Sequence, residues 1–304
     1  MEKLIGHFKP DLFIPGAAKS GTTSLHDLLN AHPEISMSST KEPGYWKNKK
    51  FSKFNINDLL KYKNLFDEKK KIKGESSTAY MFHDSFIKNI KKNYQESPKF
   101  IFILRNPVDR FVSHVNWMKG LGLEKDKVEE IIKQKTKFRF KEYDDFPKYY
   151  YEFGLYNRWI TRFISNFGSE NIKIITFESL FANKLTILNE CFDFIGVNRI
   201  TEIQDIVANK TKTIVFPNMY HFLRKLATGR LAYTKYLKYL LPKKNRSDVK
   251  YLIRFIIKKW IKKDLQYKEL DKHHRKYLTD LYKDDVKKLK INLNYEFSEW
   301  KDFN

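Results

Sequence analysis

The sequence predicts an α/β fold, with a central parallel sheet flanked by helices in three layers and a basic helical insertion near the C-terminus. Short apolar runs alternate with helical patterns, which is the signature of βαβ units with right-handed crossovers. Two of those runs end in turns that lead straight into helices. At 304 residues, with 41% hydrophobic and 16% aromatic content, the chain is long enough for one large core.

The strands follow from apolar runs with clear stops. Asp11–Ile14 stops at Pro15-Gly16, Phe100–Leu104 at Arg105-Asn106-Pro107, and Ile172–Phe177 at Glu178; Lys71–Glu75 is a weaker fourth run. Helical patterns lie between and after them, over Thr22–Asn30, His83–Tyr94, Val108–Lys119, Pro147–Asn166 and Ser179–Ile195, and the chain closes with His274–Lys290. No repeat or Pro/Gly-rich linker intervenes, so residues 10–304 are expected to form a single domain, with 217–275 as a basic helical elaboration inside it.

Charge narrows the classes of function. The chain carries 59 Lys+Arg against 36 Asp+Glu, a net +23, and 18 Lys/Arg against 4 Asp/Glu fall in Phe222–Lys276 alone. Such an excess calls for an anionic partner, but composition does not say which: nucleic acid, membrane surface, polyanionic sugar or phosphorylated cofactor. A single Cys excludes a disulfide framework and Cys-rich metal sites. The N-terminus has no apolar stretch followed by a cleavage site, and no run reaches the ~18 apolar residues of a membrane span. The expectation is a cytoplasmic protein, with peripheral membrane contact through 222–276 as a secondary one.

The turn after the first strand reads Pro15-Gly-Ala-Ala-Lys-Ser-Gly-Thr-Thr-Ser24. A glycine-bearing turn between strand and helix aims backbone N–H groups at one point above the positive end of the helix, an arrangement that holds phosphate or sulfate oxygens. Gly16 and Gly21 permit close approach, Lys19 adds a charge, and Ser20, Thr22, Thr23 and Ser24 add hydroxyls beside the Ala17 and Ala18 backbone. A Walker A loop needs Lys directly after its second glycine, where this chain has Thr22. The plainer alternative is an ordinary βα turn that happens to contain Gly and Lys.

The second turn, Arg105-Asn-Pro-Val-Asp-Arg-Phe-Val-Ser113, places Arg105 at the carboxyl end of a strand, where open parallel sheets bind ligands. Asn106 is placed to cap the helix that Pro107 opens, and Ser113 lies two turns further on. Arg105 and Ser113 together would make a second anion site without a metal carboxylate. The competing reading is a local pair between Arg105 and Asp109.

The first turn resembles the 5′-phosphosulfate loop, and the second the 3′-phosphate motif, of the sulfotransferases that use 3′-phosphoadenosine 5′-phosphosulfate (PAPS). Thr40-Lys-Glu-Pro-Gly-Tyr-Trp46 is similar to the Lys-Glu-Pro segment of their polysaccharide- and heparan-sulfate-type branch, which has bacterial relatives. Asn209-Lys-Thr-Lys-Thr213 resembles the late loop that covers the cofactor in that branch, and the Leu281–Trp300 run resembles the usual domain end. Together these segments extend over about 10–215 and 274–300.

The resemblance implies a P-loop-type fold and in-line transfer of a sulfuryl group from PAPS to a hydroxyl or amine of a carbohydrate or glycolipid, an acidic glycan among them, leaving adenosine 3′,5′-bisphosphate. Lys19 would stabilise the leaving phosphate, loop residues 16–24 would hold the 5′ end, and Arg105 and Ser113 the 3′-phosphate, with Lys210, Thr211 and Lys212 in the covering loop. Glu42 would be the general base, Tyr45 and Trp46 flat surfaces for a sugar ring, and His83 the rival base. No metal and no nucleic-acid partner are expected. Gly74-Glu-Ser-Ser-Thr-Ala-Tyr80 is similar to a segment that usually carries a proline where this chain has Thr78. Two alternatives stand beside this reading: a P-loop nucleotide or small-molecule kinase, and a basic protein that binds nucleic acid or membrane surfaces.

Overall fold

The structure, a computed structural model, describes residues 8–47, 56–133, 148–203, 212–214, 262–264 and 270–304. The chain divides into two compact units, one made of Met1–Phe111, Gln134–Asn209 and Asp271–Asn304, the other of Val112–Lys133 and Lys210–Leu270. In chain order the strands are β1 Leu12–Gly16, β2 Ile35–Met37, β3 Ile72–Ser76, β4 Lys99–Leu104, β5 Ile172–Thr176, β6 Lys212–Ile214 and β7 Lys262–Asp264. The α-helices are α1 Thr22–Asn30, α2 Ile56–Lys63, α3 Asp84–Asn93, α4 Pro107–Gly120, α5 Val128–Lys133, α6 Tyr156–Phe167, α7 Phe177–Ala182, α8 Lys184–Ile195 and α9 Lys272–Leu293.

The first unit is built on a five-stranded sheet in the order β2-β3-β1-β4-β5, parallel at every pairing. Alternation along β1 and β4 gives its faces different chemistry. Leu12, Ile14, Ile101 and Ile103 join Leu25, Leu29, Leu188, Cys191 and Phe192 of α1 and α8 in an aliphatic layer. Phe13, Phe100 and Phe102 belong to the opposite layer, where Phe86 of α3 and Phe163 and Phe167 of α6 pack ring against ring. Both faces are covered, which is why these strands read as continuous apolar runs.

Four of the five strands were legible from the sequence, and β2 was not. Ile35-Ser-Met37 is too short to show a pattern, and it becomes a strand by pairing with Ile72–Gly74. Within the described residues the Pro147–Asn166 pattern is α-helical only from Tyr156, after a short 3-10 turn at Glu152–Gly154. Ahead of it, tertiary donors take up the main-chain carbonyls: Arg110 binds that of Tyr150, Tyr282 that of Tyr151 at 3.1 Å, and Trp159 that of Glu152 at 2.7 Å. The Ser179–Ile195 pattern is two helices, because Asn183 leaves helical dihedrals at φ −132°, ψ 55°. Thr176 caps α7 through the Ser179 N–H.

In the second unit, β6 and β7 form an antiparallel pair that joins Lys212–Ile214 to Lys262–Asp264. Lys262 and Lys263 are therefore extended, although they lie within the expected basic helical elaboration, 217–275. The rest of the expected basic helical elaboration, from 217 to 261 and 265 to 269, lies outside the described residues. No helix among the described residues is long and apolar enough to cross a membrane.

Phe13 is the centre of the aromatic layer. The rings of Trp46, Tyr80, Phe86, Tyr94 and Phe100 all have centroids 5.4–6.3 Å from its own. Phe13→Ala should cost about 3–5 kcal/mol through lost burial and the cavity left behind. Urea unfolding of the variant against the parent measures this, and a loss below ~1 kcal/mol would show that the layer closes over the gap.

Candidate active site

The turn after β1 has the backbone that a close-fitting anion loop requires. Gly21 has φ +91°, and a Cβ there would lie 2.8 Å from the Phe177 ring, so no other residue fits without displacement. Gly21 caps α1 without a side-chain hydrogen bond, and the first turn of the helix holds no acidic residue. The free N–H groups of that end thus stay available to an anion. Thr22 is buried, Thr23 exposed and Ser24 half-buried. Ser20 is fully buried, its hydroxyl close to that of Tyr156 but without a well-formed hydrogen bond.

Lys19 stands in this turn at φ +69°. Burial pulls its pKa down to about 8, helped by the positive charges of Arg105, Lys41 and Arg110. These cations come from three separate stretches of chain, so the fold gathers like charges around the loop.

Arg105 leaves the end of β4 with its guanidinium 4.7 Å above the Phe177 ring, and its Nε is buried without a partner among the described residues. It does not pair with Asp109; that carboxylate binds Arg275 at 2.8 Å. The main chain at Arg105 is held instead, since the Tyr156 hydroxyl donates to its carbonyl at 2.8 Å. Asn106 caps α4 as expected, its Oδ1 accepting from Val108 N–H at 3.0 Å. Its own N–H donates to Glu178 and its side-chain amide to Asp302, at 3.0 and 2.7 Å. Trp300 donates to Glu178 and Arg275 to Asp302, so residues near the C-terminus hold the turn that carries Arg105.

The Lys-Glu-Pro segment joins the first turn through a side chain the sequence reading passed over. Lys41 donates to Thr22 Oγ1 at 3.3 Å and to Glu42 Oε1 at 2.9 Å. Glu42, at φ +61°, is anchored by its N–H to the Ser76 carbonyl at 2.9 Å. Thr78 donates to it twice, from its N–H to Oε2 at 2.8 Å and from its hydroxyl to Oε1 at 3.1 Å. A proline at 78 would supply neither donor. Oε2 thus takes one hydrogen bond from the described residues and keeps a lone pair for another proton.

One expectation for this segment changes. Trp46 is buried at 3% exposure and so gives a sugar no surface; its indole N–H donates to the Tyr62 hydroxyl at 3.0 Å. Tyr45 remains half-buried, with its ring stacked 4.1 Å from that of Tyr62. His83 is buried at the start of α3, after the turn Thr78–Phe82. Ser113 is buried in α4 and belongs to the second unit. Lys210 and Thr211 lie outside the described residues, and Lys212 opens β6.

Beyond Lys41 and Thr78, the site includes Arg110, Tyr156 and Glu178, none of which has a sequence signal of its own. Glu75, one residue before the end of β3, is fully buried among Tyr62, Tyr80 and Ser77. What the arrangement can do chemically is hold a multiply charged anion against cations and N–H donors, with a carboxylate one lysine away.

Comparison with known proteins agrees with this chemistry. The family model described as "Sulfotransferase domain" matches residues 9–290. Carbohydrate sulfotransferase 15 of Mus musculus is 23% identical, over 67% of this chain and 47% of the relative. A membrane-associated sulfotransferase of Dictyostelium discoideum is 29% identical over 36% of this chain and 24% of its own. The chain therefore spans about half the length, or less, of these curated relatives. Among solved structures, a sulfotransferase from Alicyclobacillus acidocaldarius superposes with a TM-score of 0.65 over 97% of this chain and 99% of its own, at 22% identity, and shows the same fold.

The charge cluster makes a measurable prediction. Lys19 should titrate near pH 8, and Arg105→Ala, by removing a neighbouring cation, should move it upward toward the ordinary lysine value of 10.5. NMR of ¹³C-dimethylated lysines reads both values. A Lys19 signal that titrates as an ordinary lysine in the parent protein would contradict the gathering of charge described above.

Proposed function

The chain belongs to the sulfotransferase domain family, and on that premise we propose that it moves a sulfuryl group from PAPS to a hydroxyl or amine of a carbohydrate acceptor. The observation that carries this reading is the Lys41 bridge, which ties the anion-binding turn at Thr22 to the carboxylate of Glu42. An anion site and a proton acceptor within one side chain's reach are what group transfer to a hydroxyl needs. The carbohydrate part rests on relatives named as carbohydrate sulfotransferases.

The residues suit such a nucleotide. Among the described residues Arg105 Nε is buried without a partner and Ser20 Oγ is buried without a well-formed hydrogen bond, while burial and the charges of Arg105, Lys41 and Arg110 pull the Lys19 pKa down. In this reading the 16–24 turn and Lys19 hold the 5′ end, and Arg105 holds the 3′-phosphate. PAPS supplies, when bound, a sulfuryl group already joined to a phosphate leaving group. Lys19 offers N–H donors where charge builds on that leaving group, and Lys41 keeps the adjacent turn positive. Glu42 takes the acceptor's proton on Oε2 as the acceptor oxygen or nitrogen attacks in line. The Lys-rich stretch 222–276 would serve an acidic glycan.

A P-loop kinase is the nearest rival, but the position where it needs Lys is Thr22, whose hydroxyl here accepts from Lys41. Thermal-shift measurements separate the two. Adenosine 3′,5′-bisphosphate at 100 times its Kd should stabilise the protein by about 2.7 kcal/mol, whereas stabilisation by ATP–Mg and not by the bisphosphate would overturn the proposal. Glu42→Gln should lower kcat for sulfate transfer by about 100-fold or more with bisphosphate binding intact. Should Glu42→Gln keep its activity and His83→Ala lose it, the base is His83.

A further inference from the structure

Glu75, one residue before the end of β3, has no exposed surface, and three hydroxyls converge on its carboxylate. Tyr80 donates to Oε1 at 2.5 Å, Ser77 to Oε1 at 2.8 Å, and Tyr62 to Oε2. Each of these hydroxyls also accepts an N–H from the segment that follows Glu42. Gly44 N–H donates to Ser77, Trp46 N–H to Tyr80 and the Trp46 indole to Tyr62, each at 3.0 Å. Three parallel relays thus run from the segment, through a hydroxyl, to one buried carboxylate.

The direction of all three depends on a single charge. An ionised carboxylate has only lone pairs, so each O–H must point inward and turn a lone pair toward the segment. A neutral carboxylic acid or an amide in that place has a proton of its own to give. At least one hydroxyl would then reverse, leaving an N–H of Gly44 or Trp46 without its acceptor. The same hub supports Tyr45, whose ring stacks on Tyr62. Ser77 also sits between Ser76, which binds Glu42 N–H, and Thr78, which binds its carboxylate.

We propose that Glu75 is a positioning residue for Glu42: its buried carboxylate orients the hydroxyls of Ser77, Tyr80 and Tyr62 so that they hold Gly44 and Trp46, and with them the Glu42 turn, in the reactive arrangement. This rests on Glu42 being the base proposed above. Burial raises the Glu75 pKa to about 7, with the Glu42 charge adding to the rise and the hydroxyls of Tyr62, Tyr80 and Ser77 opposing it; Tyr94 is the other titratable group facing the carboxylate. A raised pKa means that protonating Glu75 favours the folded state. Its contribution to stability is full below about 4.5 and is lost as pH rises through about 7. The relays need the other form, so activity should fall as pH drops through the same window. Opposite trends in stability and activity separate positioning from simple structural support.

The experiment compares the full chain with Glu75→Gln and Tyr62→Phe. Glu75→Gln should bind adenosine 3′,5′-bisphosphate as the parent does, exchange the Gly44 and Trp46 amide protons at least tenfold faster, and lose kcat by a similar factor. In Tyr62→Phe, removing a donor raises the Glu75 pKa, so the acid limb of the kcat profile should move to higher pH; this variant also carries the test if Glu75→Gln does not fold. Unchanged amide exchange in Glu75→Gln, or an acid limb that stays in place in Tyr62→Phe, overturns the positioning role. If the parent protein moves no sulfate from PAPS, the proposed function fails, and the amide exchange still decides whether Glu75 holds the segment.

Discussion

Like charges held close together are the constraint on which the candidate site depends. Lys19, Lys41 and the Arg105–Arg110 stretch come from three separate parts of the chain, and burial together with the other three charges pulls the Lys19 pKa down. Such a cluster is unfavourable by itself, because nearby cations destabilise one another's charged forms. It survives because the surrounding structure fixes the backbones that carry it. The unfavourable electrostatics then become an affinity for an anion that neutralises them.

Much of that fixing is done from a distance. The turn with Arg105 is held by Glu178, Asp302 and Tyr156, with Trp300 and Arg275 behind them. The carboxylates of this frame spend their charge on Arg275 and on main-chain and indole N–H groups. Arg105 is left to stack on Phe177 with part of its hydrogen-bonding capacity unused. Asp109 and Asp302 are thus paired with Arg275 and hold the architecture of the Arg105 turn. For Asp109, adjacency along a helix suggests that it pairs with Arg105, and the fold commits it to Arg275 instead.

The Glu42 side of the site is organised by hydrogen-bond direction. Thr78 offers both an N–H and a hydroxyl to Glu42, and the turn ahead of it leads into the buried cluster around Glu75. Buried polar groups of this kind are costly unless every member is satisfied, and once satisfied they specify one arrangement. A segment with positive φ at both Glu42 and Gly44 needs that kind of support.

The sequence by itself determined the parallel α/β architecture, four strands of the five-stranded sheet, the two turns and the family. It could do so because those features are local: an apolar run, a glycine with positive φ, a capping asparagine and a motif each lie within a dozen or so residues. It also pointed to Lys19, Arg105 and Glu42 as candidates for the chemistry. Only the tertiary structure decided what surrounds them. The pairing of Ile35–Met37, the break at Asn183, the burial of Trp46 and the bridging role of Lys41 all rest on contacts between stretches far apart in the chain, or on dihedrals set by them. No periodicity records such contacts, because the free energy that selects them comes from partners that are absent until the chain has folded.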